Sequence, residues 1–377
     1  MDQVLLSEAC DAKSGNSTLI KGRLSAVNDG SLYPAFSATG QDVYAATYDH
    51  EGEAVIISAV GARCGKCFLA SGKWSAIANT HILFPKPEKT NVRFLWYLVN
   101  DESFWIKGGT AQPFVKVLDS LKKKIPLPPL HEQQRIVSLL DEADELRRLR
   151  EQADRRTADL IPAVFYEMFG DPAGRYQVRP LSMVAHEFRY GTSNKSSDVG
   201  YPALRIPNVV GNTLDLSDLK FVQVLADELS RIKLQSGDVL FVRTNGNPDY
   251  IGRSAIFETE VARASGLDPD LFIYASYLIR ARLDLSQVDP YFVQHYLCTP
   301  AGRKEVRKRA RTSAGQYNMN TEGLSTIPIP LPPLSLQTQF AAGVAKIRAL
   351  QTRQAESRRR LDDLFESMLH RAFQGEL

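Results

Sequence analysis

The hexapeptide Ile125-Pro126-Leu127-Pro128-Pro129-Leu130 returns as Ile329-Pro330-Leu331-Pro332-Pro333-Leu334, and no other feature constrains the fold of this chain so strongly. The displacement of 204 positions is kept by Gln112 and Gln316, Gln133 and Gln337, Leu146 and Leu350, Arg155-Arg156 and Arg359-Arg360, Asp159-Leu160 and Asp363-Leu364, and Phe169 and Phe373. One unit is written twice. After each hexamer, apolar residues recur at threes and fours, which is helical spacing. The first stripe includes Ile136, Leu139 or Leu140, Ala143, Leu146, Leu149, Leu160, Val164 and Met168; the second includes Phe340, Val344, Ile347, Leu350, Leu361, Leu364 and Met368, with a polar middle. Each helix is expected to run roughly 35 residues, about 50 Å, and a helix of that length needs a partner. Pro162 should kink or end the first near Ile161, whereas its counterpart Glu366 imposes nothing similar. The prolines before each helix cannot continue a strand ladder and favour an extended entry, with a plain linker as the alternative reading.

The 377 residues exceed what one compact core serves, so two or three domains are expected. The blocks outside the helices, residues 1 to 124 and 172 to 328, resemble each other faintly. Both begin with Leu-Ser, both hold Tyr-Pro-Ala, and both carry an acidic turn leading into a strand, at Gly52-Glu53-Ala54-Val55 and Gly237-Asp238-Val239-Leu240. Short β-rich runs and an aromatic helical stretch follow in each, Val92 to Val99 and Pro290 to Cys298, so each block reads as α+β. No apolar run approaches the roughly 20 residues of a membrane span, and the start carries an acid and no basic region, unlike a secretory signal. A cytoplasmic protein with reduced thiols is expected.

The order of α+β block, Pro-rich hexamer with a Gln soon after, and long helix ending in Phe165-Tyr166-Glu167-Met168-Phe169-Gly170-Asp171, twice over, resembles the specificity subunit of a type I restriction-modification enzyme. The resemblance covers the whole chain. The second copy departs from it, with Leu336-Gln337-Thr338 against Glu132-Gln133-Gln134 in the first, and Phe373-Gln374-Gly375 at its end. The resemblance implies two α+β target recognition domains, at 1–124 and 172–328, each reading one half of an asymmetric bipartite DNA site. It also implies that the segments 125–171 and 329–377 pair as an antiparallel coiled coil in a pseudo-two-fold repeat, setting the spacer and docking two methyltransferase subunits. Those subunits would use S-adenosylmethionine, two motor-nuclease subunits would complete a restricting complex, and this chain would bind no cofactor and do no chemistry. A coiled-coil scaffold that binds proteins rather than DNA is the alternative.

Net charge of +3 neither implies nor excludes nucleic-acid binding, because local clustering decides it. Gly302 to Arg311 holds Arg303, Lys304, Arg307, Lys308, Arg309 and Arg311 against one acid, a density suited to phosphates. Lys122-Lys123-Lys124 reads equally as phosphate contact or solvated surface. Base reading needs paired donors and acceptors on loops held by a rigid sheet. In the second block Thr192, Ser193, Asn194, Lys195, Arg205, Asn208, Arg243 and Asn245 meet that description; in the first, Thr39, Arg63, Lys66 and Lys73 beside Trp74. The matched Gln112 and Gln316 lie in glycine-containing turns, where either a phosphate contact or a role in fixing the chain's entry to the hexamer is expected. For partner docking the apolar flanks offer Leu149, Ile161, Phe165, Leu361 and Met368.

Other chemistry is poorly served. Asn247-Pro248-Asp249-Tyr250 falls one proline short of the tetrapeptide with which amino-methyltransferases hold a base, and reads as a turn. Cys64-Gly65-Lys66-Cys67 has the spacing of half a zinc site, but Cys10 and Cys298 are isolated, so no metal is expected. Gly61 to Lys66 is too short for a phosphate-binding loop, and the six histidines show no nucleophile-base arrangement.

Overall fold

The computed structural model describes residues 3–28, 30–313 and 315–377. Met1, Asp2, Asp29 and Ala314 lie outside the described residues. The helices that organise it are α1 (Val92–Val99), α2 (Leu130–Ala158), α3 (Leu160–Phe169), α4 (Pro290–Cys298), α5 (Pro300–Arg309) and α6 (Leu334–Gln374). The chain forms two compact units: Met1–Ala153 with Gln354–Leu377, and Asp154–Arg353. Among the described residues no helix is long and apolar enough to cross a membrane.

In the first unit an antiparallel sheet runs Cys10–Ser14, Thr80–Pro85, Ala54–Ser58, Cys67–Ala70, beside a second sheet in which Tyr33–Ser37 and Lys73–Ala76 lie parallel. The strand Ala54–Ser58 is buried on both faces. Its alternation feeds two cores: Val55 and Ile57 join Leu95, Val99 and Trp105, while Ala54 and Ile56 join Phe36 and Trp74. The second unit repeats the plan. Its first sheet runs Ala185–Tyr190, Leu278–Leu283, Val239–Val242, Ser254–Ile256, and Tyr201–Leu204 lies parallel to Ile273–Tyr274 in the second. Val239 and Phe241 face one core, Leu240 and Val242 the other. Both acidic turns deliver these central strands through a glycine at positive φ, Gly52 at 105° and Gly237 at 88°.

Each hexamer begins inside its block. Ile125-Pro126 pairs with Gln3-Val4 and Ile329-Pro330 with Val178-Arg179, so the segment is the last strand of the globular part and not a linker. The prolines are tolerated because each of these sheets has only two strands, leaving an edge where no donor is required. Pro162 acts as expected: α2 ends at Ala158, whose carbonyl lies four residues before the ring, and α3 resumes at Leu160. The partner helix α6 runs 41 residues unbroken.

Within each unit the helix segments pair antiparallel. In the first, Arg147 Nε donates to Asp362 Oδ1 at 2.8 Å and its guanidinium lies 4.5 Å from the Phe365 ring centre, while Ile136, Val137 and Leu140 share a core with Ala372 and Met368. In the second, Gln351 donates to the Thr157 carbonyl at 3.1 Å, and Phe165 and Phe169 meet the Phe340 ring edge-on at 5.3 and 5.6 Å. The aromatic helices complete these clusters: Phe94 of α1 meets Phe373, and Phe292 of α4 meets Phe165 and Phe169.

One side chain ties each block to its long helix. Gln133 is fully buried; its amide donates to the carbonyls of Lys89 and Pro128 at 2.7 and 2.8 Å and accepts from Asn91 N at 2.8 Å. Gln337 is also fully buried, donating to Pro332 O at 2.8 Å and accepting from Asp289 N at 2.9 Å. Asn91 and Asp289 are the N-caps of α1 and α4, so each glutamine joins the start of the aromatic helix to the end of the hexamer. Gln133→Leu would leave three backbone groups without their partner, one of them buried and two part-buried, for an expected loss of about 2–3 kcal/mol. All three tryptophans lie in the first unit, so urea unfolding followed by tryptophan fluorescence should show a midpoint lower by roughly 1 M or more. An unchanged midpoint contradicts the role.

Candidate nucleic-acid interface

The two blocks prove closely alike in backbone, far beyond their faint likeness in sequence. In the first unit Asn16 N donates to Ala76 O, Ile77 N to Phe36 O, Thr80 N to Ile77 O, Ala59 N to Asn79 O and Val115 N to Ala59 O. In the second, Thr192 N donates to Tyr274 O, Ala275 N to Leu204 O, Leu278 N to Ala275 O, Arg243 N to Tyr277 O and Met319 N to Arg243 O. Five hydrogen bonds thus repeat in the same order. A sixth follows from side chains, Thr18 N to Asn16 Oδ1 at 2.9 Å and Asn194 N to Thr192 Oγ1 at 3.2 Å, fixing the same polar turn twice. Gly15 and Gly191 precede those turns, and a Cβ at either would stand 2.0 Å from a carbonyl oxygen of the facing strand end. The signal that could have exposed this match is Gly-x-Ser at Gly15-Asn16-Ser17 and Gly191-Thr192-Ser193, but its displacement is 176 and not 204.

In the second unit this frame gathers Thr192, Ser193, Asn194 and Arg205 around one cleft of about 380 Å³ whose walls are partly apolar, with Ile206, Pro207 and Val222. Lys220, Ser276 and Tyr277, which residue type and spacing alone do not single out, line it too. Lys195 is exposed beside it. Thr192 is buried, and Asn208 is buried with its amide bridging the carbonyls of Asp215 and Asp218 and accepting from Arg205 N, so both shape the frame and present no free edge. Arg205 is held by the carbonyl and carboxylate of Asp218 at 3.1 and 3.0 Å. Arg243 donates to Ser276 O and its guanidinium lies 4.7 Å from the Tyr190 ring centre.

Next to Tyr277, Thr244-Asn245 begins a three-stranded ribbon with Gln316–Asn318 and Arg311–Ser313. Gln316 accepts a hydrogen bond from Thr244 at 3.3 Å beside the hairpin turn, and Gln112 lies in the turn of the hairpin joining Lys107–Gly108 to Phe114–Val115. The two glutamines therefore stand at corresponding hairpin ends.

The basic cluster divides in two. Arg303 caps the carbonyls of Ile251, Pro248 and Asp249 at 2.8, 3.2 and 3.2 Å, Arg307 pairs with Asp249, and Arg309 holds Glu305 and Thr326. These three arginines fasten α5 to its surroundings, and the Asn247-Pro248-Asp249-Tyr250 turn is the main thing they hold. Lys304, Lys308 and Arg311 are exposed and make no ion pair among the described residues. Of the three lysines before the first hexamer, Lys122 meets Asp119 and Lys123 the Phe104 carbonyl.

In the first unit Thr39 is exposed and forms a cluster with Lys21, Ser37 and Asp42. Burial disfavours the charge on Asp42, but hydrogen bonds from Lys21, Ser37 and Thr39 outweigh it and hold the carboxyl below its usual range. Arg63 is exposed in the loop that corresponds to the Asn247–Tyr250 turn, while Lys66 and Lys73 lie 6.0 and 4.8 Å from the rings of Phe68 and Tyr48. Trp74 is fully buried and donates to Gly52 O. Cys64 and Cys67 are core residues; burial pushes the Cys10 thiol up to about 12 and the Cys67 thiol higher still.

The helix flanks correct one expectation. Ile161 and Phe165 are buried, because α4 and the start of α6 cover them, so they form core and not an uncovered docking flank. Leu361 and Met368 are half-buried, and only Leu149 of that set is well exposed, with Leu146 and Leu364 exposed in the same unit.

A frame built twice, braced by paired helices and carrying different polar loops in each copy, defines a duplicated binding scaffold. Residues 4–154 match the type I restriction modification DNA specificity domain. The EcoKI specificity subunit of Escherichia coli K12 is 28% identical over 274 residues, covering 67% of this chain and 57% of its own length. The EcoDI specificity subunit of Escherichia coli is 23% identical over 392 residues, covering 93% and 83%. The crystal structure of a type I restriction-modification S subunit from M. genitalium aligns with a TM-score of 0.62 at 14% identity, over 99% of this chain and 96% of that one, a likeness of fold. The chain is thus similar to type I restriction-modification specificity subunits, with its residues 4–154 matching their DNA specificity domain. It spans little more than half the length of the EcoKI subunit.

The division of the basic cluster is testable on the free protein. Arg303→Ala should cost about 1–3 kcal/mol by orphaning carbonyls, whereas Lys304→Ala, Lys308→Ala and Arg311→Ala should each stay within about 0.5 kcal/mol. Denaturation followed by circular dichroism measures both, and the reverse order would contradict the assignment.

Proposed function

We propose that this chain is the DNA-reading subunit of a type I restriction-modification complex, with the blocks at 1–124 and 172–328 each reading one half of an asymmetric bipartite site. The observation that carries the reading is the repeated frame with unlike loops: identical scaffolding gives both blocks the same mode of contact, and different side chains give them different targets. The chain itself carries no chemistry in this reading. Methylation belongs to two partner subunits that bind S-adenosylmethionine, and cleavage, where it occurs, to two motor-nuclease subunits.

Within the second block, Lys304, Lys308 and Arg311 supply phosphate contacts, and the cleft and ribbon supply base contacts. Removing the three cations should weaken binding to every sequence alike and lower the salt slope by about 3, near 0.9 per phosphate. The paired helices set the spacer, and the exposed Leu146, Leu149 and Leu364 dock the methyltransferase subunits. Leu146→Glu with Leu149→Glu should abolish methylation while DNA binding by the chain remains measurable.

The test of the whole reading is exchange of residues 172–328 for the corresponding block of another family member, followed by methylation mapping with the partner subunits. One half of the modified sequence should change and the other should stay. A change in both halves, or in neither, would refute the assignment of one block to one half-site.

A further inference from the structure

The matched hydrogen bonds put the loops after the parallel strands, Ile77-Ala78-Asn79 and Ala275-Ser276-Tyr277, at one and the same place in the frame. In both units the first residue of the loop bridges in parallel to the polar turn, Asn16 to Ile77 and Thr192 to Ala275. In both, the carbonyl of the third residue accepts a hydrogen bond from the residue just after the central strand, Ala59 N to Asn79 O at 3.0 Å and Arg243 N to Tyr277 O at 3.1 Å. The second unit adds Ser276 N to Thr192 O at 2.8 Å. The backbone of each loop is therefore held on both sides, and its third side chain is carried on a fixed mount.

What that mount carries differs. Tyr277 is 60% exposed, lines the cleft with Ser193, Asn194, Arg205 and Lys220, and makes no hydrogen bond through its hydroxyl among the described residues. Asn79 is exposed, and its amide has no protein partner among the described residues. More than half of the Tyr277 surface is thus offered to solvent from a rigid loop at the cleft wall. The two chemistries suit different targets: an asparagine amide can face the paired donor and acceptor of an adenine edge, and a tyrosine offers a flat apolar face with one hydroxyl. Ordering costs are low at both positions, because the backbone is already fixed.

We propose that Asn79 and Tyr277 are the corresponding specificity-determining residues of the two blocks, each placed against base edges of its own half-site by the same backbone frame. The polar turns beside them, Ser17-Thr18 and Ser193-Asn194, are exposed; Asn194 Nδ2 already donates to Gln223 O and Glu228, and Thr18 Oγ1 to Asn16 Oδ1, so the Ser17 and Ser193 hydroxyls and the remaining acceptors complete each reading surface. This rests on the DNA-reading function proposed above. A protein-docking role for Tyr277 is the rival, since an exposed tyrosine also suits such interfaces.

The experiment uses the full chain assembled with its methyltransferase subunits, with methylated sites mapped by sequencing for the unaltered protein and for Asn79→Ala, Tyr277→Ala and Tyr277→Phe. Asn79→Ala should relax discrimination roughly 5- to 100-fold at one or two base pairs of one half-site, leaving the other half as it was. Tyr277→Ala should do the same in the opposite half-site, and Tyr277→Phe should keep whatever preference the ring face supplies while losing what the hydroxyl supplies. Both positions are exposed, so circular dichroism should show each variant folded as before. The proposal is overturned if the folded variants methylate an unchanged sequence, or if both act on the same half. Uniformly reduced methylation of an unchanged sequence, with less partner subunit co-purifying, overturns it in favour of protein docking. If the unaltered complex methylates without a bipartite preference, the DNA-reading function fails as well, which separates the two failures.

Discussion

A buried glutamine amide holds each half of this protein together. Gln133 and Gln337 have no access to water, and each satisfies backbone groups at two places that would otherwise be orphaned: the end of the Pro-rich hexamer and the first turn of the aromatic helix. Leaving such groups unpaired costs more than the bonds contribute net, so the amide dictates where the long helix departs from the block. With the departure fixed, Phe94 and Tyr97 in one unit and Phe292 and Tyr296 in the other meet the helix pair in a set orientation. The hexamer recurs because it supplies both a strand to close the sheet and a carbonyl to receive the amide.

From that junction the order passes into the sheets. Central strands buried on both faces serve a core toward the helices and a core toward the second sheet, so a residue in Val239–Val242 couples the brace to the loops by packing alone. The outer loops are then free to differ, because their backbones are held by carbonyl and amide groups that every residue possesses. Charge follows the same division: Arg303, Arg307 and Arg309 secure a helix, and the cations left over face solvent.

Much of this could be read from the chain itself, and the exceptions have physical causes. The duplication, the long helices, the break before Pro162 and the turn at Asn247 follow from spacing and from what proline and asparagine do locally. The strand role of Ile125-Pro126 did not, because a proline in a ladder is acceptable only at an edge, and edges are a tertiary fact. Burial of Ile161 and Phe165 required knowing that an aromatic helix from the globular block covers the helix pair on a third side. The common frame of the two blocks was the hardest to see. It is written in main-chain hydrogen bonds, which leave almost no trace in side chains beyond Gly15 and Gly191, where a Cβ would collide with a carbonyl. Candidate residues were correspondingly mixed: Ser193 faces the cleft, and Asn194 faces it while its amide is tied to Gln223 O, whereas Asn208 by type suits base reading and Arg303 phosphate contact, and both serve as fasteners by position.

The proposed function comes down to the repeated frame, held by Gln133 in one unit and by Gln337 in the other, presenting two unlike surfaces to DNA. Hydrogen–deuterium exchange of the assembled complex, with and without its methylated target sequence, tests it most directly. The account predicts slowed exchange on DNA binding in both loop pairs, residues 15–18 with 77–79 and residues 191–194 with 275–277, and no change at Asn91 or Asp289, whose amides the buried glutamines already protect. Slowed exchange in only one unit, or only along the helices with both loop pairs unaffected, would contradict it.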